Sequence, residues 1–388
     1  MKNFIYDICT KVYFGSDGLD CLGKEVKRFG KKVLLCYGGG SIIKNGLYDK
    51  IVAILNSSGL EVFTLSGIEP NPRINSVREG VKICKTNGID VLLAVGGGST
   101  IDATKWIAAG ALVEHDAWDF FSKWSPCDKA LPIVSVLTLS ATGSEMNAGG
   151  VISNPDTNEK IGRIAYPLRP KVSFLDPTNT FTVNRYQTAC GSADIFSHLL
   201  EVYFAPNDTM FMLDTFIEGM LKTVIKYAPV AMATPDNYEA RANLMWAGSW
   251  AINGFVGADK SHEWSCHPME HELSAFYDIT HGLGLAILTP RWLTYCLKDD
   301  NLDRYYRYGT EVFGIDKNLD KKSVALLSIE KTKEFLFNTL GLDDTFTKIG
   351  IDDKHFKIMA KKACEDSFIN GFIKLDAADI ENIFKACL

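Results

Sequence analysis

Four short apolar runs in the first half of the chain, KKVLLCYGGGS, LEVFTLSG, IDVLLAVGGGST and LPIVSVLTLS, each give way to a polar or glycine-rich turn. Runs of that length, rich in β-branched residues and separated by amphipathic stretches, predict a largely parallel sheet with crossover helices. From about Thr182 onward such runs vanish, and segments with helical spacing of apolar residues take over, among them MFMLDTFIEGMLKTVIKYA and NYEARANLMWAGSWAING. The break follows FLDPTNTFTVN, where Asp176-Pro177 and the polar stretch through Asn184 interrupt both patterns. The expectation is an α/β dinucleotide-binding domain over residues 1–184 and an all-helical domain over 185–388. With no flexible linker in sight, the two are expected to pack across a cleft, where small ligands tend to bind.

A chain of 388 residues that is 46% hydrophobic can bury a sizeable core. Its net charge of −6 and the lack of any long Lys/Arg run argue against nucleic acid as a partner. The start, MKNFIYDICTKVYFG, has no uninterrupted apolar stretch, and no later segment runs long enough without charge to span a bilayer. A cytoplasmic enzyme with no membrane contact is therefore expected. The ten cysteines are scattered without a CxxC pair, as expected of reduced, buried thiols.

Gly96, Gly97 and Gly98 follow one predicted strand, and Ser99 opens a helix. Glycine lets the backbone approach a phosphate, and a helix start offers unpaired amides and the positive end of a dipole. A tight strand-to-helix turn capped by Ser99 accounts for a lone GGGS equally well. Here a second copy, Gly38, Gly39, Gly40 and Ser41, follows the first predicted strand. A third turn, LTLSATGSEMNAGG, carries Thr138, Thr142, Gly143, Ser144 and Glu145, and Lys160 comes soon after. Turns at successive strand ends are where open sheets bind ligands. The second turn lacks the acidic residue that commonly accepts hydrogen bonds from the adenosine ribose, and Lys44 is nearby; both features favour a 2′-phosphate, hence NADP(H) over NAD(H).

Of seven histidines, four fall in KSHEWSCHPMEHELSAFYDITHG: His262, His267, His271 and His281. Upstream, Asp194 and His198 are four apart in a helical pattern, so they share a face, and His267 and His271 have the same spacing. One carboxylate with three imidazoles suits Fe(II) or Zn(II) and suits Ca or Mg poorly, without choosing between iron and zinc. His262 lies off the HxxxH face, and His115 and His355 are expected to be surface or solvated side chains.

EPNP at 69–72, GGGSTIDATK at 96–105, TLSATGSE at 138–145, the DxxxH at 194–198 and HPMEHELSAFYDITHG at 267–282 together resemble the iron-containing, group III alcohol dehydrogenases. The likeness runs over nearly the whole chain and is strongest to the NADPH-dependent butanol dehydrogenase branch of anaerobic bacteria. It implies a metal held by Asp194, His198, His267 and His281, with His271 left over for proton transfer or substrate ordering. It also implies a cofactor across Gly97, Gly98 and Ser99, with Asp102 steadying the loop. Thr138 and Thr142 would sit beside the adenine or diphosphate, Lys160 near the nicotinamide ribose, and Asn71 as a further contact. The expected reaction is hydride transfer between NADP(H) and a small aldehyde or primary alcohol of butanal size, in a homodimer or larger homo-oligomer. Trp264, Phe276 and Tyr277 beside the metal motif favour a small apolar substrate over the polyol of a polyol dehydrogenase or the substrate of a dehydroquinate-synthase-like lyase, although such aromatics could equally be core residues. A metal or nucleotide sensor without turnover would be expected to have lost a ligand, and none is missing.

Overall fold

The four apolar runs form strands, and two further strands complete the sheet. The computed structural model describes residues 3–206, 210–258 and 264–388. In chain order the strands are β1 (Lys11–Phe14), β2 (Lys32–Tyr37), β3 (Glu61–Leu65), β4 (Val91–Gly96), β5 (Ile133–Leu137), the antiparallel hairpin β6 (Gly149–Asn154) and β7 (Glu159–Ile164), and β8 (Val172–Leu175). Six of them make one sheet in the order β1-β8-β5-β4-β2-β3, with every neighbouring pair parallel.

Helices α1 (Leu22–Lys27), α2 (Ser41–Lys44), α3 (Leu47–Ser57), α4 (Ile74–Asn87), α5 (Gly98–Gly110) and α6 (Asp119–Ser122) accompany the sheet. Val33 and Leu35 of β2 join Val91, Leu93 and Val95 of β4 in a core with Leu22, Ile51 and Leu55. The alternate residues Leu34, Cys36 and Leu92 face a second core with Val77, Ala103, Trp106 and Ile107. Strands covered on both faces need no polar alternation, which is why β2 and β4 are continuous apolar runs. Each such fully buried Leu or Val contributes roughly 1.5–3 kcal/mol relative to exposure.

The strand order reverses at the centre: β3 lies on one side of β2, and the chain then returns to place β4 on the other. The carboxyl ends of β2 and β4 therefore flank a topological switch point. The turns Gly38–Ser41 and Gly96–Ser99, separated by more than fifty residues in sequence, begin on adjacent strands, and the turn after β5 is next in line.

The remaining helices are α7 (Arg185–Tyr203), α8 (Phe211–Ala233), α9 (Tyr238–Ala251), α10 (Cys266–Tyr277), α11 (His281–Cys296), α12 (Leu302–Phe313), α13 (Lys321–Lys333), α14 (Phe356–Ala363) and α15 (Ala377–Lys385). One departure from an all-helical second half is a small antiparallel pairing of Ile369–Asn370 with Lys374–Leu375. The chain forms two compact units, one of Asp7–Val183 with Pro235–Ser249, the other of Asn184–Thr234 and Trp250–Leu388 with the N-terminal residues up to Tyr6. Most of α9 thus lies beyond the boundary expected at residue 184 yet packs with the first unit. Met245 joins Ala94, Ile101, Leu137 and Leu175 in a core, and Ser249 Oγ donates to the buried Glu145 carboxylate at 2.5 Å.

Helix α7 begins at an Asn184 cap whose side chain accepts the Gln187 amide at 2.8 Å, and it is buried almost throughout from Thr188 onward. It packs against α8 and α11. The α7–α11 contact requires Gly282, since a Cβ there would stand 2.0 Å from the Cys190 carbonyl oxygen. Gly282→Ala is accordingly expected to destabilise the protein by about 1–3 kcal/mol, the usual cost of overpacking. The check is the urea midpoint, which should fall at unchanged slope; an unchanged midpoint would contradict so close an approach of α11 to α7.

Candidate functional site

Three helices of the second unit deliver the metal-motif residues to one point. Asp194 and His198 project from consecutive turns of α7, His267 from the first turn of α10, and His281 opens α11. Helix α10 stops at Asp278, whose left-handed φ of 51° turns the chain, so α11 starts within three residues and runs back against α10. Asp194 Oδ1 lies 3.6 Å from His198 Nε2, 3.8 Å from His267 Nε2 and 3.7 Å from His281 Nε2. The His198 and His267 rings stack at 4.6 Å.

These separations exceed hydrogen-bond length. They are close to the spacing of roughly 3.4 Å between donors that share a tetrahedral divalent ion at about 2.0–2.2 Å. Asp194 Oδ1 and His267 Nε2 are buried with no hydrogen-bond partner among the described residues, an arrangement that a cation would satisfy. The donor set therefore fits a divalent metal. Donor atoms of Asp194, His267 and His281 all lie within 4.8 Å of one another, and His198 joins them through its approach to Asp194. Glu270, His271 and His281 form a second such group, but the Glu270 carboxylate is already engaged by His281 Nδ1.

Electrostatics at the site follow from its dryness. Burial penalises the Asp194 carboxylate, yet the surrounding imidazoles, His198 foremost, hold its pKa well below the usual range. Burial pushes His198 down to about 4. For His267 burial also opposes the charged ring, but Glu201 and Asp194 outweigh it and raise the pKa to about 9. Two buried glutamates, neither expected from the motifs, contact these rings: Glu201 meets His267 Nδ1, and Glu270 meets His281 Nδ1. The signal for Glu201 was available, because Asp194, His198 and Glu201 stand at i, i+4 and i+7, one ionisable stripe on a helix buried from Thr188 onward.

His271 is half-buried, its ring 5.8 Å from that of His281. Trp264 packs edge-on against His198 and His267. Phe276 and Tyr277 pack against the half-buried His355. Half-buried His115 sits edge-on to Phe120, and His262 lies outside the described residues.

In the first unit the glycine turns gather at the switch point. Gly97 precedes α5, whose first-turn amides lack intrahelical acceptors. A Cβ on Gly98 would stand 2.2 Å from Thr142 Oγ1, so glycine allows the turn after β5 to reach the start of α5. Thr138 leaves β5 with its amide donating to the Gly96 carbonyl at 3.0 Å. Gly40 has φ of 96°, open to glycine and strained for other residues, and no neighbour lies within 4 Å of a Cβ built on Gly39 or Gly40. Asp102 accepts from Ser144 Oγ at 2.5 Å and from the Val151 amide at 2.9 Å, so its carboxylate ties α5 to the Thr142 turn and to β6. Ser153 of β6 pairs with buried Lys160 on β7, and its amide donates to Pro72 O at 2.8 Å. Strand β6 thereby lies between Lys160 and the EPNP turn, where Asn71 holds a left-handed φ of 50°. Lys105, fully buried, donates to Asn147 Oδ1 at 2.9 Å and to Gly149 O at 2.6 Å, and burial lowers its pKa to about 8; the GGGSTIDATK motif contains it without indicating that role.

Known proteins share both halves of this arrangement. The family model described as iron-containing alcohol dehydrogenase matches residues 9–177, and that of the family's C-terminal part matches residues 188–388. The chain is 51% identical over 387 residues to NADH-dependent butanol dehydrogenase A of Clostridium acetobutylicum, covering 99% of each chain. It is 35% identical over 365 residues to an NADPH-dependent aldehyde reductase of Escherichia coli, covering 93% of each. A crystal structure of NADH-dependent butanol dehydrogenase A from Thermotoga maritima matches with a TM-score of 0.95 at 38% identity, covering 100% of this chain and 99% of that one. The chain belongs to the iron-containing alcohol dehydrogenase family. It is an alcohol dehydrogenase, an oxidoreductase of alcohols and aldehydes that uses a nucleotide cofactor and a divalent metal. Among the described residues no helix is long and apolar enough to cross a membrane.

The raised His267 pKa has a sign that can be tested. In metal-free protein its stabilising contribution is complete below the ordinary value of 6.5 and is lost as pH rises through about 9. Metal-free protein is expected to lose stability across that window while its affinity for a divalent cation rises, because Nε2 must be free of its proton to coordinate. Urea unfolding of the metal-free protein and chelator competition, each over the same pH range, read the two trends, and a flat affinity would contradict the expectation.

Proposed function

We propose that this enzyme reduces small, weakly polar aldehydes of butanal size and oxidises the matching primary alcohols, with Asp194, His198, His267 and His281 as metal ligands. The observation that carries this reading is the convergence of three imidazole Nε2 atoms on one buried carboxylate oxygen at 3.6–3.8 Å. When bound, the divalent ion polarises the carbonyl, and the reduced nicotinamide supplies hydride. Reduction consumes one hydride and one proton per aldehyde. His271 is the residue we assign to moving that proton, since its ring neighbours His281 and stays partly open to solvent. Trp264, packed on two of the imidazoles, gives the metal site an apolar wall. Fe(II) and Zn(II) both suit the donor set, and the family to which the chain belongs favours iron.

For the cofactor, we assign the dinucleotide to the turns Gly38–Ser41 and Gly97–Ser99, with Asn71, Thr138, Thr142 and Lys160 around it and Asp102 bracing the loop. The turn after β2 carries no acidic side chain to repel a 2′-phosphate, which favours NADP(H). The names of the relatives run against that preference: those at 51%, 48%, 44% and 42% identity are called NADH-dependent, whereas the aldehyde reductase at 35% is called NADPH-dependent.

Protein purified without oxygen, stripped and reloaded with Fe(II) or Zn(II), is expected to oxidise NADPH faster than NADH on addition of butanal, and to do so only when metal is present. A faster rate with NADH would overturn the cofactor preference alone. No turnover with either cofactor and either metal would remove the short-chain aldehyde reading. His271→Ala is expected to lower kcat about 10²-fold or more with metal content unchanged, as for loss of a general acid; a wild-type kcat would take His271 out of proton transfer.

A further inference from the structure

Each of two imidazoles at the metal site carries its own buried carboxylate on the ring nitrogen that faces away from Asp194. Glu201, buried on α7, contacts His267 Nδ1 and also accepts the Cys266 amide at 2.8 Å and the His267 amide at 3.2 Å. Glu270, fully buried on α10, contacts His281 Nδ1 and accepts from Ser274 Oγ one helical turn away. The backbone makes room for it: a Cβ on Gly284 would stand 2.8 Å from Glu270 Cγ. His198 differs, because its Nδ1 has no hydrogen-bond partner among the described residues and its ring is held by packing against Trp264 and His267.

From this geometry we infer that Glu201 and Glu270 are positioning residues that hold His267 and His281 as Nδ1–H tautomers, aiming Nε2 of each ring at the metal. A carboxylate accepting from Nδ1–H fixes the ring orientation and makes the opposite nitrogen a stronger donor. The inference rests on the metal assignment above. Glu201 also caps the start of α10 through backbone amides, so its removal disturbs the helix as well as the ring. Glu270 gives the cleaner test.

The measurement is the dissociation constant for Co(II), by chelator competition on metal-free protein, together with the visible absorption spectrum of the Co(II) form. Glu270→Ala is expected to weaken Co(II) binding about 10–100-fold, the usual cost of losing such a partner, and to alter the spectrum. Glu270→Gln keeps an acceptor for Nδ1–H without the charge, and should recover part of the affinity. Ser274→Ala, which frees the Glu270 carboxylate without removing it, should give a smaller loss. If Glu270→Ala does not fold, the Gln and Ser274→Ala variants decide the matter alone. Wild-type affinity and spectrum in both would overturn the inference. Failure of the wild-type protein to take up Co(II) would instead overturn the metal assignment.

Discussion

A carboxylate buried among three imidazoles is the constraint around which the helical unit is arranged. Removing the Asp194 charge from water costs several kcal/mol unless opposing charge or donors replace the solvent. The structure supplies three ring nitrogens, at distances too long for hydrogen bonds, and leaves the carboxylate oxygen nearest to them without a donor among the described residues. Such a site is a poor resting place for a lone anion and a good one for an anion that shares a divalent cation. Meeting it requires α7, α10 and α11 to converge. Glycine at 282 and 284 is the means, because side chains there would strike the Cys190 carbonyl and Glu270.

The charges around that point form a hierarchy. Asp194 is central, and Glu201 and Glu270 stand behind His267 and His281, each in contact with the ring nitrogen that points away. Three buried carboxylates, those of Asp194, Glu201 and Glu270, thus share one site with the imidazoles between them. The polarity of the first unit is different. There, neutral backbone amides and hydroxyls at the ends of β2, β4 and β5 surround the switch point, and Asp102 is occupied by Ser144 and Val151. An amide-rich surface of this kind accepts phosphate without needing a counter-charge from the protein.

Much of this was legible in the chain. The apolar runs ending in glycine announced β2, β3, β4 and β5, because a strand covered on both faces has to be apolar throughout. β1 and β8 were harder to see: KVYF and VSFL are four residues each, and they take their identity from pairing, β1 with β8 at the edge and β8 with β5 as well. The hairpin β6–β7 has a mixed polar sequence and is held by cross-strand bonds and by the EPNP turn. Phe276 and Tyr277, adjacent to the metal motif in sequence, sit on a face of α10 that packs toward His355.

By itself the sequence determined what depends on spacing along one element: the glycine turns after strands, Asp194 and His198 on one face of α7, the family motifs and hence the reaction class. Tertiary structure decided which partners those residues meet. Adjacency of the β2 and β4 turns follows from strand order, the commitment of Asp102 to Ser144 and Val151 from the docking of β6, and the pairing of Glu201 with His267 and of Glu270 with His281 from the crossing of three helices. The physical reason is range. Helical and strand periods fix a side chain's direction over a few residues, whereas burying a charge enlists whichever donors the packed helices bring near, however distant in the chain.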